Sequence, residues 1–107
     1  MKVRISENFL NVRLQENEII ALGNGEVLEV KLFFPGASFL FFRLLLEKQD
    51  VKLKASFKNG IVEISMSETE WKAWQQAGEI GVEYVQEGGE KEIRILAEKD
   101  LKKRRKQ

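Results

Sequence analysis

Catalysis needs groups that exchange protons, attack an electrophile or hold a metal, and this chain of 107 residues offers few. It has no histidine, the side chain that titrates nearest to neutrality. It has no cysteine, which removes thiol nucleophiles, thiolate metal ligands and disulfides together. Two carboxylate pairs remain, Glu16/Glu18 and Glu68/Glu70. Each opens a segment of helical pattern, where the positive end of the helix dipole favours negative charge. A structural role therefore outweighs general acid–base work for both pairs. Zinc would have to be held by carboxylates alone, against its preference for nitrogen and sulfur. Gly23 and Gly25 lack the third glycine of the dinucleotide fingerprint, and no GxxxxGK[ST] loop occurs. The residues point away from an enzyme and assign no catalytic residue, metal or cofactor.

What is left is suited to binding. Lys102, Lys103, Arg104, Arg105 and Lys106 form a basic tail. It could contact an anion or nucleic acid, but without interleaved aromatics the contact would be salt-sensitive and blind to sequence. A short solvated terminus is the favoured reading. Lys2, Arg4, Arg13, Lys52, Lys54 and Lys58 fall on outward strand faces, and cross-strand pairing with Glu63, Glu83 or Glu92 is expected to absorb them. Trp71 and Trp74, one helical turn apart, could line a ligand pocket with Tyr84, although a place in the core is favoured. Phe39, Phe41 and Leu45 share the second face of one strand and form an outer face with Phe33 of the strand before it, and covering by another subunit or by a helix is expected there.

The elements that must position these groups read clearly from apolar spacing. Val3 and Ile5 alternate with Lys2 and Arg4, and beyond Glu7-Asn8 the alternation resumes at Leu10, Val12 and Leu14. Residues 15–22 form a short helix that Gly23-Asn24-Gly25 ends. Strands follow over 26–34 and 39–47, joined by Pro35-Gly36 in a type II turn. The second of these is the one strand apolar on both faces. Residues 51–58 and 61–66 form a hairpin around Asn59-Gly60, a type I′ signal. Ser67-x-x-Glu70 opens a second helix that Gly78 closes. Ile80, Val82 and Tyr84 mark the next strand, Gly88-Gly89 turns it, and Ile93 and Ile95 carry the last.

The order is ββαββ twice, over 1–49 and 50–101. A shift of 52 residues lays Val3 on Ala55, Leu10, Val12 and Leu14 on Val62, Ile64 and Met66, and Val30 on Val82. The phase of alternation is what makes the match, because a slip of one residue would turn a strand inside out. The expected fold is α+β and β-dominated, a duplicated unit with approximate two-fold symmetry. Its eight strands are expected to be mostly antiparallel and to close in a barrel-like sheet, with residues 102–107 outside it.

Composition agrees with one small domain: 43% of residues are hydrophobic. No apolar run approaches a membrane span, and MKVRIS lacks the apolar core of a signal peptide, so a cytoplasmic protein is expected. Five of the 18 basic residues sit in the tail, which leaves the 17 acidic residues in the majority elsewhere.

Met1-Lys2-Val3-Arg4-Ile5, Asn8, Val12-Arg13-Leu14, Ala55-Ser56-Phe57, the helix of Trp74 and Ile95-Leu96-Ala97-Glu98-Lys99-Asp100 together resemble the pattern of a small, uncharacterised bacterial family. The resemblance covers nearly the whole chain. It implies one domain and, since that family has no established activity, no catalytic or binding residue. This chain departs from the pattern in its basic ending after Asp100 and in the apolar 39–46 strand, where any specialised role is expected. The leading expectation is a non-enzymatic protein-interaction module, a homodimer through Phe33, Phe39, Phe41 and Leu45. A weak nucleic-acid or anion binder acting through the tail is the first alternative. A small-molecule binder in a barrel mouth is the second.

Overall fold

The computed structural model describes residues 1–101, and its elements follow the alternation closely. Strands β1 (Lys2–Ser6) and β2 (Phe9–Leu14) form the first hairpin, with Asn8 taking the left-handed conformation at φ 48°. Helix α1 (Glu16–Gly23) leads to the hairpin of β3 (Leu28–Phe34) and β4 (Ser38–Glu47). β3 starts later than the apolar pattern suggests because Glu26 is still tied to the helix, its N–H donating to Ala21 O at 3.0 Å. β5 (Leu53–Lys58) and β6 (Ile61–Ser67) pair around Asn59-Gly60, both at positive φ as a type I′ turn requires. Helix α2 (Glu68–Ala77) follows, then the hairpin of β7 (Gly81–Gly88) and β8 (Lys91–Lys99). Both helix ends are built as their sequences dictate. Ser67 Oγ accepts from Glu70 N at 3.2 Å, and Gly78, at φ 69°, donates to Trp74 O.

The strands form two four-stranded sheets, ordered β1-β2-β8-β7 and β3-β4-β6-β5. Each half of the chain gives one hairpin to each sheet, and the hairpins meet through the parallel pairs β2/β8 and β4/β6. The other four pairings are antiparallel. The expected barrel-like closure is therefore corrected. Central strands are used up within their own sheets, and the edges β1, β7, β3 and β5 carry no ladder from one sheet to the other. Among the described residues, a side chain spans one corner. The Gln86 amide donates to Ala55 O at 2.9 Å and accepts from Ala55 N at 2.7 Å, holding β7 against β5.

Exchanging the two halves of the chain turns one strand order into the other. Val3 faces Val12 as Ala55 faces Ile64, so the uniform shift holds through the first hairpin of each half. It drifts in the second hairpin. The row Val3–Val12–Ala97–Val82 corresponds to Ala55–Ile64–Leu44–Leu28, so Leu28, not Val30, stands in the place of Val82. The slip is two residues, which leaves every side chain on its expected face. The core lies between these inner faces. Val12, Leu14, Ile95 and Ala97 meet Leu44, Leu53, Ile64 and Met66, and Ile19, Leu22 and Trp74 close the helical end. All four hairpin turns lie at the opposite end.

Candidate functional site

The β3–β4 hairpin presents the largest exposed aromatic group. Register sets Phe33 opposite Phe39 and Lys31 opposite Phe41 on the outer face of the sheet. The Phe33 and Phe41 rings meet edge-on with centroids 5.4 Å apart, and those of Phe39 and Phe41 lie at 4.5 Å. Lys31 Nζ stands 5.6 Å from the Phe41 centroid, within cation–π range. Phe39 leans on the β5–β6 turn, where a Cβ on Gly60 would come 3.0 Å from its ring. The cluster is nonetheless in solvent, with Phe33 70% and Phe39 38% exposed. Leu45 shares the face but is half-buried and set apart by Arg43, which donates to Glu29 at 2.8 Å and lies 4.0 Å from Glu63.

The other face of the same arm is also uncovered. Leu32 and Phe34, which alternation directs inward, are 50% and 47% exposed. They sit beyond the reach of the second sheet, so three successive apolar residues face water. The matching hairpin of the other sheet has a contrasting tip: Gln86, Glu87, Gly88, Gly89, Glu90, Lys91 and Glu92.

At the turn end the inner faces diverge around an apolar cleft of about 470 Å³, lined by Ile5, Leu10, Phe42, Phe57, Val62 and Ile93 among others. Ile5 and Phe57, which occupy matching positions in β1 and β5, stand exposed at its margin.

Trp71, Trp74 and Tyr84 are not gathered around one pocket. Trp74 is buried as a plug at the helical end, its indole N–H donating to Glu79 O at 2.8 Å. The Trp71 ring packs against Gly23 of α1, and its N–H has no acceptor among the described residues. Tyr84 faces Ile95 on β7 and borders a separate depression with Val51, Leu53, Lys54 and Gln86.

The basic strand residues divide between the sheets. Lys2 pairs with Asp100 at 3.2 Å and Arg13 with Glu98 at 3.0 Å, while Lys54 and Lys58 lie on β5 of the other sheet. Glu83 is taken by Arg94, at 2.8 Å. The tail residues Lys102, Lys103, Arg104, Arg105 and Lys106 lie outside the described residues. Glu18 accepts from the Gln15 N–H at 2.9 Å at the start of α1, and Glu68 and Glu70 occupy the first turn of α2. Among the described residues no three carboxylates gather in a metal-binding group, and no helix is long and apolar enough to cross a membrane.

The outward direction of Phe33, Phe39 and Phe41 follows from alternation, whereas alternation places Leu32 and Phe34 inside and gives no sign of the Gln86 clamp. The run Leu32-Phe33-Phe34 carried the signal for the exposure of Leu32 and Phe34, since an alternating strand with one wet face does not need three apolar residues in succession. No curated protein and no solved structure matches the chain. A family model does match, over residues 1–106, and the chain belongs to that family, described as a family of unknown function (DUF7009).

Proposed function

We propose that this chain is a non-catalytic protein-interaction module whose contact element is the β3–β4 hairpin. The observation that carries the reading is the contrast between its two corresponding hairpin tips. One is polar and charged, while the other exposes Leu32, Phe33, Phe34 and Phe39 on both faces of the strand pair. Aromatic side chains contribute the largest apolar areas at contact surfaces, and an exposed apolar patch rimmed by charge is the usual mark of one. Lys31, Glu29 and Arg43 supply that rim. The lack of histidine and cysteine, with the carboxylate pairs engaged at helix starts, supports a role without catalysis. The correspondence of the halves supports an internal duplication in which one tip has become a contact surface.

The test is Phe33→Glu. Phe33 is mostly exposed, so thermal stability should hold within about 0.5 kcal/mol. Association, with another copy or with a partner purified and identified from native extract, should fall by about tenfold or more. Association unchanged by Phe33→Glu would overturn the reading.

A further inference from the structure

Resting on that reading, we infer that the arm's partner is a second copy of this chain, joined by antiparallel pairing of the two β3 edges in the register centred on Val30. The evidence begins with how the four sheet edges are treated. An open edge is a template for further strand pairing unless charge, proline, a bulge or a cover blunts it. β1 carries Lys2 and Arg4 in five residues. β5 carries Lys54 and Lys58 and has its backbone at Ala55 taken by the Gln86 amide. That same clamp draws in β7, which also bears Glu83 and Glu87. β3 reads Leu-Glu-Val-Lys-Leu-Phe-Phe, and among the described residues it is hydrogen-bonded to β4 on one side only. Five of its seven residues are apolar, and its two charges, Glu29 and Lys31, are opposite in sign where those of each other edge are alike.

Charge then selects the register. Two copies related by a two-fold axis keep their outer faces on one side only if odd-numbered residues oppose odd-numbered ones, because side chains alternate along a strand. Centring on Val30 sets Glu29 opposite the partner's Lys31, and Lys31 opposite the partner's Glu29. It also sets Leu28 opposite the partner's Leu32 and exposed Val27 opposite the partner's Phe33. Centring on Lys31 or on Glu29 opposes like charges at the axis. Centring on Leu32 leaves both charges opposite uncharged residues and brings Pro35, which has no N–H, into the ladder opposite Glu29. The Val30 register alone pairs both charges and both apolar sets. It would extend the β3-β4-β6-β5 sheet into a continuous eight-stranded sheet across the two copies.

Charge exchange tests this register. In Glu29→Lys each copy opposes lysine to lysine twice, and in Lys31→Glu it opposes glutamate to glutamate twice. Sedimentation velocity should show the natural chain as a dimer and each variant alone weakened by about tenfold or more. An equimolar mixture of the two variants should recover dimer, because all four facing charges are then complementary, and native mass spectrometry should show it to be a heterodimer. A second variant does not depend on the charges. Val30→Cys, in a chain without cysteine, should crosslink to its own copy on mild oxidation, since the residue on the axis faces itself at a disulfide's reach. A dimer that Phe33→Glu dissociates, but that the mixture does not restore and Val30→Cys does not crosslink, would overturn the register while leaving the arm as the contact element. A monomeric natural chain that still binds another protein through Phe33 would overturn self-pairing alone. A monomer with no Phe33-dependent association would overturn both.

Discussion

Gln86 shows how much one side chain can decide in a fold with open sheets. Its amide makes a donor and an acceptor contact with the backbone of Ala55, as another strand's peptide group would. No apolar pattern announces it. In sequence it is one more polar residue before a turn, and its role depends on β5 and β7 being brought together by the two sheets. Replacement by alanine leaves the Ala55 N–H and C=O without these partners in a half-buried place. Gln86→Ala should cost about 1–3 kcal/mol, the contribution of two such hydrogen bonds, read from chemical denaturation. The Ala55 amide should exchange with solvent faster in the variant than in the natural chain. Unchanged stability and exchange would show that the sheets hold this corner without the clamp.

Elements were the most legible level, because each carries its own signals. Alternation gave the strands, Ser67 and Gly78 bounded α2, and Asn59-Gly60 set a hairpin of defined register. Contacts between elements were not legible in that way. The joint of α1 to α2 illustrates the difference, since Gly23 reads in sequence as a helix terminator. In the structure it is also the surface on which Trp71 lies: a Cβ at Gly23 would fall 2.2 Å from the indole ring. Gly23→Ala must push the ring aside, and the expected cost is about 1–3 kcal/mol by overpacking. Tryptophan emission should shift with it, as Trp71 moves relative to solvent. A substitution that leaves both stability and emission unchanged would show that the two helices are not packed through this contact.

At the scale of the whole molecule, the sequence held the pairing within hairpins but not the pairing between them. Local turns decide which strands are adjacent in the chain, whereas β2/β8 and β4/β6 join residues more than a dozen positions apart through parallel ladders that no turn specifies. That is why eight alternating strands suggested a barrel and the molecule has two open sheets. Open sheets have edges, and the four edges are not alike. β1, β5 and β7 carry two charges of like sign each, and the Gln86 clamp ties β7 to β5, while β3 carries one charge of each sign beside an exposed aromatic face. The candidate surface was legible at Phe33, Phe39 and Phe41, because a strand apolar on both faces has one face that the core does not cover. The polar tip of the corresponding hairpin gained meaning only once the halves were superposed by topology.

Amide hydrogen exchange measured across a range of protein concentrations tests this most directly. Protection of the β3 amides that point away from β4, those of Glu29, Lys31 and Phe33, should rise with concentration, while the β1 edge exchanges at a constant rate. Exchange of these β3 amides that stays fast and independent of concentration would contradict the pairing of β3 edges.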